Sequence, residues 1–111
     1  MNLEITILSN LVYNEKYARK VLPFIKSEYF TDRANKIIFL GIHEYIMQYE
    51  TLPSLNAVAI ECQERTDLNE DQFKECIEVL NVLSDDSADY DWLVDTTEKW
   101  CQERAIYLSL M

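Results

Sequence analysis

Neighbouring carboxylates are the residues of this sequence whose chemistry could support catalysis, because a general acid and a general base are often two such groups. Glu61 with Glu64 and Asp85 with Asp86 are the candidates. The first pair falls on the polar face of an expected helix and the second in a polar turn, where a carboxylate is ordinarily solvated. We therefore predict that neither pair is catalytic and that this chain alone is not an enzyme.

Residues that commonly bind metal ions are few and poorly spaced. His43 is the single histidine, and no carboxylate lies at ligand spacing on its helix face. Cys62, Cys76 and Cys101 are odd in number and widely separated, which fits neither a disulfide framework nor the paired spacing of a zinc site. We expect no metal site, a structural or surface histidine, and free, mostly buried thiols.

Nucleotide chemistry is also disfavoured. The phosphate-loop consensus GxxxxGK[ST] requires two glycines, and the chain has one, Gly41. We expect this chain alone to need no cofactor and neither to bind nor to hydrolyse a nucleotide.

Charge is divided unevenly along the chain. Residues 1–55 carry six acidic and six basic side chains, whereas residues 56–111 carry 14 acidic and four basic ones, and so the whole net charge of −10. The acidic half repels phosphate backbones and attracts a basic protein partner, unless it is an ordinary solvated surface. Lys16, Arg19 and Lys20 form a small basic face at helical spacing. This face could contact a DNA backbone, although a plain solvated surface is the alternative.

The elements that position these residues are helices. The 111 residues, 49% of them hydrophobic, correspond to one domain, and one Gly and two Pro leave little turn chemistry for strands. Apolar residues three or four apart predict an all-α, compact bundle of about six helices. No apolar run approaches the ~20 residues of a membrane span, and the start lacks a basic region. We expect a cytoplasmic protein with no membrane partner.

The first half of the chain predicts three helices and a bend. Asn14 caps the second helix, Pro23 ends or kinks it, and Thr31 caps a long central helix that runs to about Tyr49. Gly41 lies inside that helix, where glycine is less stable than alanine, and this cost is offset most easily if another helix approaches closely at that point. The connector is expected to bury its four apolar side chains, Phe24, Ile25, Tyr29 and Phe30.

The second half predicts three more helices. Ser54 caps the fourth, whose inward face includes Val58, Ile60 or Cys62, and Asn69 opens the fifth in a capping box with Gln72. The sixth begins near Tyr90 and ends on apolar residues without a stop signal. This end predicts a chain cut from something longer, unless the residues pack back onto the first helix.

Five segments together resemble the N-terminal domain of DnaB-type replicative helicases over nearly the whole chain. Many bacterial relatives place a histidine where Asn35 stands, so the pattern is closer to the phage branch of that family. The segments are ITILSNLVYN, NEKYARKVLPFIKSEYF, NKIIFLGIHEY, TLPS and DYDWLVDTTEKWCQERAIY.

The resemblance implies a collar domain of a hexameric DNA helicase, which mediates subunit assembly and primase docking during replication. Residues 1–90 would form a globular head, and residues 91–111 would begin a truncated hairpin used in oligomerisation. The ATPase motor, with its ATP and Mg, would be absent from this chain. The implied partners are other helicase subunits, primase, and single-stranded DNA through the full ring, in the bacterial host cytoplasm if the protein is phage-encoded.

The last helix is predicted to present an exposed apolar stripe that contacts a protein partner, with nearby acids steering a basic partner such as primase. An alternative function is a free-standing acidic interaction protein or DNA-mimicking inhibitor. The acidic half favours that alternative, whereas the neutral half and the family pattern do not. The predicted stripe comprises Trp92, Leu93, Trp100, Tyr107, Leu108 and Met111.

Overall fold

The structure, a computed structural model, describes residues 2–85 and 88–111 and is built from helices. Two short 3-10 turns, Leu22–Phe24 and Ser27–Tyr29, form the connector before the third helix. No strand occurs within the described residues, so the predicted all-α bundle is confirmed. The helices are α1 (Leu3–Tyr13), α2 (Glu15–Val21), α3 (Arg33–Tyr49), α4 (Leu55–Gln63), α5 (Glu70–Val82) and α6 (Tyr90–Ser109).

Side-chain caps fix where the helices begin. Asn14 accepts a hydrogen bond from the Tyr17 N–H at the start of α2, and Asn69 forms the predicted capping box with Gln72 at the start of α5. The prediction that Thr31 caps α3 is wrong. Asp32 caps it by accepting hydrogen bonds from the first free N–H groups of the helix, because a carboxylate one position later reaches those donors directly.

The connector between α2 and α3 buries only three of its four predicted apolar side chains. The helix ends at Val21, as Pro23 requires, and Ile25, Tyr29 and Phe30 are buried. Phe24 is 66% exposed, so the expectation that it lies under the domain is wrong. It ends a 3-10 turn, and its side chain borders an open groove between α2 and α6 instead of entering the core.

The core surrounds α3, which packs against α1, α4 and α5. Phe30 contacts both Phe39 and Trp100, with ring centroids 5.2 Å and 5.0 Å apart, and so joins the connector to α3 and α6. On α4, Val58 is buried, whereas Ile60 is exposed and does not belong to the inward face. The expected free, buried thiols are confirmed for all three cysteines, Cys62, Cys76 and Cys101.

Gly41 on α3 faces two residues of α4, which confirms the predicted close approach of another helix. A methyl group at Gly41 would meet Val58 Cγ1 at 3.7 Å and Glu61 Cβ at 3.8 Å, which are ordinary van der Waals distances. The site therefore has room for alanine, but a longer side chain would collide with α4.

We predict that Gly41→Ala raises the free energy of unfolding by about 0.5–1 kcal/mol, because alanine restricts the unfolded chain and fits the helix. Gly41→Leu is the matched comparison and should lower that free energy by about 1 kcal/mol or more through overpacking. Urea denaturation followed by circular dichroism measures both. A less stable alanine variant would show that the two helices cannot accept a methyl group.

Glu4 is a buried acid that joins α1 to the start of α3. The Thr31 N–H and hydroxyl donate to Glu4 Oε2 at 3.0 Å and 2.7 Å, and Asn35 Nδ2 donates to Oε1 at 3.0 Å. Burial alone would raise the pKa of this carboxyl, but the hydrogen bonds from Asn35 and Thr31 favour its charged form and hold the pKa below its ordinary value of 4.5. Sequence reasoning gave Glu4 no structural role.

Protonation of Glu4 should destabilise the fold. Because the folded-state pKa is depressed, the contribution of the carboxylate to stability is complete above its ordinary pKa and is lost as pH falls through the lowered pKa. We expect the difference in unfolding free energy between the wild type and Glu4→Gln to shrink as pH falls through and below the ordinary pKa of 4.5. Urea titrations at each pH provide the measurement, with exposed Glu28→Gln as control. A difference that does not vary with pH would contradict this account.

Candidate protein-interaction surface

One face of α6 belongs to the core. Asp89 caps it by accepting a hydrogen bond from the Trp92 N–H, and the helix then packs against α2 and the Ser27–Tyr29 turn. Four buried residues follow the helical repeat along its inner face. The division into a head of residues 1–90 and a separate element from residue 91 stays a prediction, but the core includes Leu93, Thr97, Trp100 and Cys101.

Two polar contacts anchor α6 to the bend. The hydroxyls of Tyr17 and Thr97, both almost completely buried, share a hydrogen bond of 2.7 Å. Burial raises the pKa of the Tyr17 phenol well above its ordinary range, so this hydroxyl stays protonated. One turn after Trp100, Arg104 Nε donates to the Tyr29 carbonyl oxygen at 2.6 Å.

The predicted exposed stripe of α6 is only partly correct. Leu93 and Trp100 are buried, so including them in an exposed surface was wrong. Trp100 is held inward by Phe30 and by Tyr29, whose ring meets it edge-on at a centroid distance of 6.1 Å. Aromatic type alone did not distinguish this tryptophan from Trp92, which is exposed on the same helix.

The exposed apolar residues of α6 and of the two residues after it lie in two separate places. Trp92 lies 14 positions before Ile106, which is about 21 Å along the helix axis. Ile106 and Leu110 were missing from the predicted stripe, although their i, i+4 spacing places them on one face. Leu108 is half-buried against the core. The C-terminal patch is therefore made of Ile106, Tyr107, Leu110 and Met111, all exposed.

The predicted basic face is exposed, and two of its three members contact neighbouring side chains. Arg19 forms an ion pair with Glu15 at 2.8 Å, and Lys16 Nζ lies 4.1 Å from the centre of the Tyr90 ring. Lys20 lines an apolar groove of about 380 Å³ between α2 and α6. Contact of Lys16, Arg19 and Lys20 with a DNA backbone stays a prediction.

The described residues include one complete acidic pair and the histidine. Glu61 lies on α4, Glu64 directly follows that helix, and both line a cleft. The pair of Asp85 with Asp86 falls partly outside the described residues. His43 packs its ring against Phe39, with centroids 5.8 Å apart. Within residues 2–85 and 88–111, no three side chains of the types that bind metals are grouped to hold an ion.

The buried thiols are also unsuited to chemistry. Burial raises the pKa of Cys62 to about 12 and that of Cys101 to about 11. Since the thiolate is the nucleophile, these groups are poor nucleophiles near neutral pH.

Over the described part of the chain, no helix has the length and apolar character needed to cross a membrane.

Comparison with known proteins supports the resemblance drawn from the sequence. The chain is 34% identical over 101 residues to a DnaB-like replicative helicase of Enterobacteria phage T4. The chain is related to a replicative helicase. The match covers 91% of this chain but only 21% of that helicase, so the chain corresponds to a part of it. No protein-family model matches the chain.

The polar anchor of α6 can be tested directly. We predict that Tyr17→Phe and Thr97→Val each lower the free energy of unfolding by about 1–2 kcal/mol. The first variant leaves the buried Thr97 hydroxyl without its partner, and the second does the same to the Tyr17 hydroxyl. The loss of unfolding free energy in the double variant should be about 1 kcal/mol smaller than the sum of the losses in the two single variants. Urea denaturation measures the cycle, and exposed Tyr107→Phe is the control. Additive losses would show that the two hydroxyls do not interact.

Proposed function

We propose that this chain is the N-terminal collar domain of a hexameric replicative DNA helicase, and that it mediates subunit assembly and primase docking during DNA replication. The observation that carries the proposal is the 34% identity to the phage helicase across nearly the whole chain. A match of that extent favours a shared role for this part of the protein.

The surface of α6 supports a role in protein contact. Exposed apolar groups at Ile106, Tyr107 and Leu110 are the kind of residue that forms the centre of protein interfaces. Asp95 and Glu103 are exposed on the same helix and would attract a basic partner. In this proposal, neighbouring helicase subunits and primase contact the C-terminal patch.

The proposal assigns ATP and Mg to another part of the full protein. A single glycine in 111 residues leaves this sequence without a phosphate loop. We therefore propose that this domain performs no chemistry, that single-stranded DNA passes through the assembled ring with weak or no affinity for the domain alone, and that the protein works in the cytoplasm of a bacterial host.

A DNA-mimicking inhibitor is the second candidate, and the net charge of −10 confined to residues 56–111 favours it. Such a protein would bind nucleic-acid-binding proteins through its carboxylates, and that binding would weaken steeply with salt. A helicase collar should instead bind its partner through apolar contacts that persist at high salt.

The test is binding to the primase from the same genome, measured by isothermal titration calorimetry and sedimentation velocity. We predict that Ile106→Ser with Tyr107→Ser weakens binding at least about tenfold, as expected for the loss of interface anchors. Met47→Ser is the matched control, since Met47 on α3 and Ile106 are similarly exposed, at 66% and 63%.

An equal loss of affinity in the Met47 control and in the patch variant would show that primase does not bind the C-terminal patch. Absence of binding to primase, together with salt-sensitive capture of unrelated DNA-binding proteins, would instead support the inhibitor. Salt-resistant binding that the patch variant loses and the control keeps is the outcome expected of a collar.

A further inference from the structure

A second groove lies away from the exposed end of α6 and has no part in the proposed function. It runs between α2 and the loop that follows α3, and its volume is about 520 Å³. Ala18 and Leu22 are buried at its base, and Ile46 and Leu52 add partly buried apolar side chains. An aliphatic chain can therefore lie along the floor of this groove.

Glu50 borders the groove in an unfavourable backbone conformation. It ends α3 with φ 56° and ψ 27°, the left-handed region, and its N–H donates to the Ile46 carbonyl oxygen at 2.8 Å. Among the described residues it is the one with positive φ. Glycine or asparagine is usual at this position, because a larger side chain strains the backbone. Glycine at this position would adopt the same conformation without that strain.

A second carboxylate at the same groove also has free acceptor capacity. Arg19 directs Nε and an Nη nitrogen to the same oxygen, Glu15 Oε1, at 3.2 Å and 2.8 Å. In the described structure Glu15 Oε2 accepts no hydrogen bond, and the Glu50 carboxylate has neither a hydrogen bond nor an ion pair. The groove thus combines two available carboxylate acceptors with one guanidinium that is already paired.

We propose that this groove binds an arginine side chain presented by a partner protein. The aliphatic stem of the arginine packs on Leu22 and Ile46, and the guanidinium donates to the carboxylates of Glu50 and Glu15. Arginine fits better than lysine, because its planar fork can donate to two acceptors at once and its weaker hydration suits an apolar floor. The groove lining carries two acidic side chains and one basic one, and this excess of negative charge favours the approach of such a cationic segment.

The inference can be tested on the 111-residue chain with a capped pentapeptide, Ala-Leu-Arg-Leu-Ala, and a matched peptide in which citrulline replaces arginine. Citrulline keeps the shape of the side chain and removes its charge. Titrations followed by amide chemical shifts should show saturable changes at the groove, with a dissociation constant of about 1 mM for the arginine peptide and at least about tenfold weaker binding for the citrulline peptide. The affected amides should include those of Ala18, Leu22, Glu50 and Leu52.

Variants at Glu50 separate binding from stability. Glu50→Gly should weaken the arginine peptide about tenfold while raising the urea midpoint of unfolding, because glycine removes both the carboxylate and the strain. Glu50→Gln should weaken binding equally without raising that midpoint. Glu78→Gln, at an exposed glutamate on α5, should leave both unchanged.

Four results would overturn the proposal. These are equal affinity for the arginine and citrulline peptides, shifts centred elsewhere on the protein, wild-type affinity in Glu50→Gly, and no saturable shift up to about 10 mM peptide. None of these results depends on primase binding, so failure here leaves the collar proposal to its own test.

Discussion

The burial of Phe30 between Phe39 and Trp100 is the contact on which the arrangement of the helices depends. It brings together the bend after α2, the central helix α3 and the last helix α6. Aromatic rings of this size remove a large apolar area from water, and edge-to-face geometry adds to that gain. Because Trp100 is committed to this cluster, α6 can present to solvent only the residues on its other faces.

Much of the fold could be predicted from local signals. Asn14 and Asn69 mark helix starts by supplying a carbonyl oxygen to free N–H groups, and Pro23 ends α2 because it lacks a donor. These effects act over a few residues, so a sequence reveals them. The identity of the cap on α3 was wrong because Thr31 and Asp32 are both good caps, and the choice depended on the distant Glu4, which binds Thr31.

The contact surface was predicted less well, because exposure is set by the whole packing arrangement. Trp92 and Trp100 have the same side chain on the same helix, yet one faces solvent and the other faces Phe30. The helical spacing of the basic face was visible in the sequence, whereas the contacts that Glu15 and Tyr90 make with two of its members were not. Available carboxylates beside a strained Glu50 could not be inferred, because a helix-ending glutamate gives no sequence signal of left-handed backbone.

The anchors of α6 also order the events of folding. Thr97 binds a hydroxyl 80 positions earlier in the chain, and Arg104 binds a carbonyl 75 positions earlier. The pairs α1 with α2 and α4 with α5 are neighbours in sequence and need only short loops to close. During synthesis on the ribosome, which proceeds from the N-terminus, those pairs can form while α6 is still being made. Until α6 emerges, the Phe30 ring lacks Trp100 and the Tyr17 hydroxyl lacks Thr97, so the nascent chain exposes apolar surface at that site.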